Sequence, residues 1–321
     1  MRKKQVESYT GILKADNYTF GEGLQTLLLF TILSPIHFIG LRLYPSAYIK
    51  IIRPFNAAMS AGAVCLGAWI SASRLSPLNI AILAAVAASA TGFGNIINDI
   101  FDMETDRISH PDRPLVRGTI SRANALIYAI LLAVFALGAA FTISPLYGTA
   151  ALIPLLILVI YAITLKGTPL AGNVIVSLLV AYALLYGGLS APHLLHLVIP
   201  ALLAMLLNFS REIIKDIQDV QGDRAAGLTT SATLSPQLLK NILFLCNGIY
   251  LALLFLPYLL GHFGAVYAAI VLFFILPLNV YRLFLLNRRD WSNRVVTISL
   301  LLKVEMASGL FALAIDRLFT N

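Results

Sequence analysis

The chain alternates between long apolar runs and short polar breaks. Nine apolar runs stand out, near residues 54–73, 79–101, 121–143, 148–165, 170–189, 194–215, 238–260, 263–286 and 293–315. A run of about 20 residues in an α-helix rises about 30 Å, which is the thickness of a bilayer's hydrocarbon core. The runs lack the apolar-polar alternation of a barrel strand. The pattern therefore predicts an all-α integral membrane protein with about nine transmembrane helices in a single bundle.

The composition agrees with a location in lipid. Hydrophobic residues make up 59% of the 321 residues, charged residues make up 12%, and the mean hydropathy is +0.85. So few polar side chains cannot cover a soluble globule of this length, which excludes a soluble enzyme. We expect one membrane domain over residues 43–321, preceded by an N-terminal extension over residues 1–42. Within the extension, the apolar stretch 27–41 is interrupted by Pro35 and predicts an interfacial or re-entrant helix.

The basic residues are distributed unevenly over the predicted loops. Twenty of the 23 Lys and Arg residues fall on one side of the nine-span topology, including Arg282, and only Arg74 and Arg317 fall on the other. Lys303 lies within the last span, near Glu305, and is assigned no role. By the positive-inside rule, we expect a multi-pass protein of the cell membrane with a cytoplasmic N-terminus. The same rule explains the net charge of +8, so the sequence indicates neither a nucleic-acid partner nor an obligate protein partner.

The acidic residues concentrate in two short windows. Nine of the fifteen Asp and Glu residues lie in residues 99–112 and 212–223. Both windows contain the pattern D-x-x-D-x-x-x-D-R, and the matching positions are 117 residues apart. The repeated positions are Asp99, Asp102, Asp106 and Arg107 in the first window, and Asp216, Asp219, Asp223 and Arg224 in the second. The chain therefore carries an internal repeat of acidic side chains.

The spacing of these acids predicts a metal and diphosphate site. On a helix, positions i, i+3 and i+7 share one face, and Asn98, Asp102 and Asp106 form a second row at intervals of four. Four predicted spans separate the windows, so both windows emerge on the same side of the membrane, at the cytoplasmic mouth of the bundle. Carboxylate and amide oxygens suit Mg²⁺, which leaves other coordination positions to phosphate oxygens. The alternative is a solvated rim of acids paired with arginines, but two copies in one register favour a site.

Basic and polar residues close to the acids are candidates for binding a diphosphate. Lys and Arg side chains neutralise phosphate oxygens, although each one alone could be a cytoplasmic membrane anchor. The candidates are Arg53, Asn56, Arg113, Tyr161, Lys166, Arg211 and Lys215.

From about residue 48 to the last span, the sequence resembles the UbiA superfamily of intramembrane prenyltransferases. That superfamily carries N-D-x-x-D-x-x-x-D after the second span and D-x-x-x-D after the sixth, which here are residues 98–106 and 219–223. Within this superfamily, two segments are most similar to the geranylgeranylglyceryl phosphate geranylgeranyltransferases of ether-lipid synthesis. Their sequences are NDIFDMETDRISHPDRPL and REIIKDIQDVQGDRAAGL. Chlorophyll synthases share much of the sequence of these two segments, with E-G-D-R where this chain has Gln221-Gly222-Asp223-Arg224.

The resemblance implies Mg²⁺-dependent transfer of a prenyl group, geranylgeranyl, from a polyprenyl diphosphate donor to a lipophilic acceptor, with membrane lipid around the enzyme. The expected acceptor is geranylgeranylglyceryl phosphate, and the alternatives are a chlorophyllide, a quinone precursor or another aromatic ring. The implied metal ligands are Asn98, Asp102, Asp106, Asp219 and Asp223, with Asp99 and Asp216 as further catalytic ligands or supports. A cation-coupled transporter is a less favoured alternative, because the two acidic windows share one side of the membrane.

Overall fold

In the computed structural model, residues 45–320 are described, and all regular structure within them is helical. From Ile49 onward the chain forms one compact unit. The extension over residues 1–42, with its predicted interfacial or re-entrant helix, lies outside the described residues.

Thirteen α-helices make up this part of the chain. They are α1 Pro45–Ile51, α2 Pro54–Ile70, α3 Pro77–Phe101, α4 Met103–Ser109, α5 Arg122–Ile143, α6 Pro145–Ile160, α7 Ala171–Gly187, α8 Val198–Ala225, α9 Pro236–Leu254, α10 Leu256–Leu259, α11 Ala265–Ile270, α12 Leu276–Asn287 and α13 Val295–Thr320. Two π-helical turns, Tyr161–Leu165 and Val271–Ile275, follow α6 and α11. Short 3₁₀ turns lie at Leu194–Leu197, Ser231–Thr233 and Trp291–Arg294.

The prediction of an all-helical membrane protein is confirmed, and a helix occupies each of the nine predicted windows. Among the described residues, seven helical segments are long and apolar enough to cross a membrane. They are Pro77–Phe101, Arg122–Ile143, Pro145–Leu165, Leu194–Ala225, Pro236–Leu259, Ala265–Asn287 and Trp291–Phe319. Helix α2 reaches that length only together with α1, at a bend of 56°, and α7 has 17 residues.

Serine side chains cap the starts of four of these helices. Ser76, Ser121, Ser144 and Ser235 each accept a hydrogen bond from the backbone N–H three residues later. Three of the four caps are followed by proline, whose missing N–H is harmless in a first helical turn. The sequence thus specifies where α3, α5, α6 and α9 begin.

Helices α2 and α8 each pack closely against several other helices. Helix α2 packs against α3, α7 and α13, and α8 packs against α7, α9 and α13. At the α2–α7 crossing, a Cβ atom on Gly67 would lie 2.0 Å from the carbonyl oxygen of Leu184, and one on Gly187 would lie 2.0 Å from that of Val64. Only glycine permits this backbone approach, which is a common way for helices to associate in membranes.

A buried polar network ties α9, α12 and α13 together. Arg282 Nε donates to Glu305 Oε1 at 2.7 Å, and both side chains are buried. Asn247 and Asn279 complete the network with further hydrogen bonds. Arg282, counted with the basic residues of the predicted cytoplasmic segments, instead lies on α12 inside the bundle, where Glu305 neutralises its guanidinium. The carboxylate of Glu305 pairs with Arg282 rather than with the nearby Lys303.

Candidate active site

The two acidic windows sit on different local structures. In the second window, Asp216, Asp219 and Asp223 lie on the continuous helix α8, which extends ten residues past the predicted end of its apolar run. In the first window, α3 ends at Phe101, and Asp102 lies between α3 and α4 with φ −91° and ψ 6°. The first motif therefore spans two helices, which corrects the expectation of a single helical face.

Helix α4 packs directly on α8 and brings the two motifs together. The contact centres on Gly222, where an added Cβ would lie 2.6 Å from the carbonyl oxygen of Thr105 and 2.4 Å from Ser109 Oγ. Ser109 Oγ lies 3.5 Å from the carbonyl oxygen of Asp219. A side chain at position 222 would hold the helices apart, so glycine allows both rows of acids to face one space.

That space is a small polar cavity of about 20 Å³. Five of the six predicted aspartates line it, together with three of the predicted basic residues and Tyr161. The lining residues are Asp102, Asp106, Asp216, Asp219, Asp223, Arg113, Lys166, Lys215, Tyr161, Thr105, Gly172, Asn173 and Thr230. Asn98, Asp99, Arg53, Asn56 and Arg211 do not line this cavity, although the sequence analysis placed them in the same site.

Arginines hold the carboxylates of the first window. Arg53 Nη2 lies 2.5 Å from Asp99 Oδ1, and Arg113 Nη1 lies 3.1 Å from the same oxygen. Arg113 also forms an ion pair with Asp106. Burial raises the pKa of Asp106, and the charge of Arg113 opposes this rise. Arg53 adopts a left-handed backbone conformation, with φ 52°, immediately before Pro54, and such strain in a non-glycine residue is often found at functional sites.

Asp102 is held by residues from two other parts of the chain. Lys166, which follows the π-helical turn after α6, forms an ion pair with Asp102. Asn98 Nδ2 donates to Asp102 Oδ2 at 2.5 Å, so the predicted neighbours at an interval of four do touch. A π-turn near a polar site often marks function, because it changes the direction of the side chains that follow it.

In the second window, the three aspartates have different surroundings. Asp216 Oδ2 accepts hydrogen bonds from Asn173 Nδ2 at 3.0 Å, from the Ser231 N–H at 3.1 Å and from Ser231 Oγ at 2.5 Å. His110 Nε2 lies 3.0 Å from Asp219 Oδ1. Asp223 forms no ion pair with any residue in the described part of the chain.

Sequence reasoning missed three of these neighbours. Asn173 and Ser231 lie outside both motifs, and His110 stands in the first window's tail without metal-ligand spacing. His110 belongs to the segment Ile108-Ser-His-Pro-Asp-Arg113, directly after the first acid motif. This proximity to the motif is the one sequence feature that indicates a place for His110 in the site.

The donor atoms fit a hard cation. Carboxylate and amide oxygens of Asn98 and the aspartates surround or adjoin the small cavity, and these are the ligands that Mg²⁺ prefers. Among residues 45–320, no three His, Cys, Asp or Glu side chains are already assembled as a metal site. Asp102 and Asp106 are instead paired with Lys166 and Arg113, so these cations and a metal ion compete for the same oxygens.

A second, larger cavity of about 320 Å³ adjoins the polar one. Tyr161 and Lys215 line both cavities, which places the two side by side. Its polar end contains most of the other predicted residues, and its interior is lined by alanine, leucine, valine and tyrosine side chains. The charged residues of the lining are Arg53, Arg211, Glu212, Lys215, Lys303 and Glu305, and its amide side chains are Asn56, Asn95, Asn98 and Asn208. The arrangement suits a molecule with an anionic head and a long apolar tail.

The amino-acid sequence matches a known family and named relatives. Residues 60–301 match the model of the UbiA prenyltransferase family. The chain is 34% identical to digeranylgeranylglyceryl phosphate synthase of Methanothermobacter thermautotrophicus, over 83% of this chain and 94% of that protein. It is 36% identical to the protein of the same name from Natronomonas pharaonis, over 70% of this chain and 81% of that protein.

Solved structures share the fold. A structure of digeranylgeranylglyceryl phosphate synthase superposes with a TM-score of 0.69 and 28% identity, over 85% of this chain and 98% of that one. A UbiA homologue from Archaeoglobus fulgidus bound to GPP and Mg²⁺ superposes with a TM-score of 0.58 and 19% identity, over 84% of this chain and 99% of that one.

Proposed function

Because this chain belongs to the UbiA prenyltransferase family, we propose that it is a Mg²⁺-dependent digeranylgeranylglyceryl phosphate synthase. In this role it transfers a geranylgeranyl group from geranylgeranyl diphosphate to geranylgeranylglyceryl phosphate. The relatives with 34% and 36% identity carry that name, and the match extends over 94% and 81% of their lengths. The main observation in support of the proposal is that aspartates from both repeated motifs line the small polar cavity, next to the larger cavity.

The aspartates have the metal-binding role in this proposal. Asn98, Asp102, Asp106, Asp219 and Asp223 would hold Mg²⁺, which when bound supplies positive charge that stabilises the diphosphate leaving group. Asp216 accepts three hydrogen bonds from Asn173 and Ser231, and Asp99 is held by two arginines. The carboxylates of Asp216 and Asp99 are therefore better suited to positioning α8 and α3 than to binding the metal ion directly.

Basic side chains balance the charge of the leaving group. Arg113 and Lys166 line the polar cavity and carry charges that neutralise phosphate oxygens. Arg53 supports this arrangement from the neighbouring cavity, through its ion pair with Asp99. In a buried site such preorganised charges act more strongly than they would in water.

The reaction exchanges one C–O bond for another. The allylic C–O bond of the donor breaks, and its electron pair leaves with the diphosphate. The acceptor's hydroxyl oxygen then bonds to the allylic carbon, and its proton passes to a carboxylate that lines the cavity. The apolar cavity binds the prenyl chain, since each buried CH₂ group contributes about 0.8 kcal/mol.

The proposal includes nine membrane spans and a cytoplasmic active site. The bent pair α1–α2 supplies one span, α7 supplies another, and the seven long segments supply the rest. The positive-inside rule then places both motifs on the cytoplasmic side, and residues 43–321 form the membrane domain. Single cysteines in the 74–76 and 288–290 loops should react with an impermeant maleimide from opposite sides of sealed vesicles.

Product identification tests the proposed activity. Purified protein receives radiolabelled geranylgeranyl diphosphate, Mg²⁺ and a panel of acceptors, and mass spectrometry identifies the products. We expect transfer to geranylgeranylglyceryl phosphate; transfer only to a chlorophyllide or a quinone precursor would contradict the proposed acceptor.

Substitutions at the site test the proposed roles. Asp102→Asn and Asp219→Asn should each lower the rate at least about 100-fold, since each removes a charge from the proposed metal site. Asp290→Asn is the matched control, because the side chain of Asp290 is 43% exposed and lines neither cavity. Wild-type rates in both site variants would refute the assignment.

A further inference from the structure

Lys303 is a charged side chain within a membrane-spanning helix. It lies on α13 and lines the larger cavity. It forms no ion pair and no side-chain hydrogen bond with any residue of the described chain, and Glu305, two positions further on, is already paired with Arg282. Charged groups at membrane depth are unfavourable and are usually retained for a function. Within residues 45–320, Lys303 therefore has no directly bonded anionic partner, and an anionic ligand in the cavity could supply one.

Two more cations lie beside Lys303. Arg211, Lys215 and Glu212, on α8, line the same cavity as Lys303, and α8 packs against α13. Glu212 pairs with Arg211 at 2.6 Å and with Lys215 at 3.7 Å. These three cations and one carboxylate leave a formal surplus of two positive charges in the larger cavity. Arg53, which lines the same cavity, is paired with Asp99, and Lys215 also lies in the electrostatic range of Asp216 and Asp219.

We infer that Arg211, Lys215 and Lys303 bind the phosphate monoester of the acceptor lipid, an inference that rests on the proposed function. A phosphate monoester carries about −1.5 to −2 charges at pH 7 and offers three strong hydrogen-bond acceptors, which matches the surplus. An uncharged aromatic acceptor would leave the surplus positive charge, including that of Lys303, unneutralised. The cluster thus selects for a phosphorylated lipid.

The positions of the three cations separate this site from the diphosphate site. Arg211 and Lys303 line only the larger cavity, whereas five of the six aspartates, Arg113 and Lys166 line only the smaller one. Asn98, the remaining proposed metal ligand, lines the larger cavity. Lys215 lines both cavities and lies between the two anions. The acceptor phosphate is thereby kept close to the donor diphosphate without sharing its ligands, although the sequence alone groups Arg211 with the diphosphate residues.

Steady-state kinetics with two acceptors test the inference. Lys303→Met should raise the KM for geranylgeranylglyceryl phosphate about 10- to 100-fold, the effect of losing one hydrogen bond to a charged group. It should leave the KM for geranylgeranyl diphosphate unchanged. The preference for the phosphorylated acceptor over geranylgeranylglycerol should fall by a similar factor. Lys303→Arg should largely restore the preference, and Lys240→Met, which removes a lysine outside both cavities, should behave as wild type.

An unchanged acceptor preference in Lys303→Met would overturn the inference while leaving the proposed function intact. Failure of the wild-type protein to use geranylgeranylglyceryl phosphate would overturn the proposed function itself. A measurement on wild-type protein covers the case in which the variant does not fold. Dodecyl phosphate should inhibit competitively against the acceptor, and dodecanol should inhibit far less; equal inhibition by the two would also overturn the inference.

Discussion

Replacing Gly222 by alanine separates the geometry of the site from its chemistry, because the change adds one methyl group and no charge. The new Cβ would lie 2.6 Å from the carbonyl oxygen of Thr105 and 2.4 Å from Ser109 Oγ. The Ser109 hydroxyl can rotate away, but the Thr105 oxygen belongs to the backbone of α4. An ordinary van der Waals contact therefore requires α4 to move by about 0.8 Å relative to α8.

A shift of this size should affect catalysis more than folding. Asp106 lies on α4 and Asp223 lies on α8, so the shift widens the space between the two acid rows. Displacing catalytic groups by about 1 Å lowers rates by about 100-fold, whereas overpacking costs about 1–3 kcal/mol of stability. We therefore expect Gly222→Ala to lower kcat about 10- to 100-fold and to raise the Mg²⁺ concentration needed for half-maximal rate.

The assay measures initial rates of labelled geranylgeranyl transfer over a Mg²⁺ titration, in detergent or in vesicles. Gly248→Ala is the matched control, because Gly248 lies within α9 and an added Cβ there meets no atom within 4 Å. If Gly222→Ala keeps the wild-type kcat and Mg²⁺ requirement, the close approach of α4 to α8 does not position the acid rows.

Three further outcomes follow from packing, charge and metal dependence. Gly187→Ala places a Cβ 2.0 Å from the Val64 carbonyl oxygen, so it should lower the thermal unfolding temperature in detergent, whereas Gly138→Ala, with no atom within 4 Å, should not. Arg282→Met leaves the buried carboxylate of Glu305 without its cation and should cost about 3–5 kcal/mol of stability, measured by thermal unfolding; a smaller loss in the double variant with Glu305→Met would show that the unneutralised charge is the cause. Excess EDTA should abolish prenyl transfer, and added Mg²⁺ should restore it; activity that persists in EDTA would contradict the metal dependence.

The helical architecture could be predicted from the sequence because lipid imposes a strong constraint. Every backbone N–H in the hydrocarbon core needs an internal partner, so long apolar runs must form helices. The predicted run 194–215 ended too early, because hydropathy falls once polar residues enter a helix. In the structure α8 continues to Ala225, and the polar side chains of Lys215, Asp216, Asp219 and Asp223 on this part of the helix line the small cavity.

The acid rows could also be predicted, since the repeat shows in the sequence itself. The hydrogen-bond and ion-pair partners that distinguish the six aspartates could not be predicted from the sequence. Asn173 and Ser231 contact Asp216 from 43 and 15 residues away, and neither belongs to a repeating pattern. Arg282 was misplaced for a related reason: a charge near the end of an apolar run looks like a loop residue until its buried partner, Glu305, is known.

In the proposed mechanism, the two acid rows bind shared metal ions and the donor diphosphate together. Anomalous diffraction from crystals grown with Mn²⁺ and a non-hydrolysable geranylgeranyl diphosphate analogue tests it directly. We predict metal peaks in the small polar cavity, within coordination distance of Asp102 or Asp106 on one side, of Asp219 or Asp223 on the other, and of diphosphate oxygens. Metal bound to one acid row alone, or a diphosphate located away from both rows, would contradict the claim.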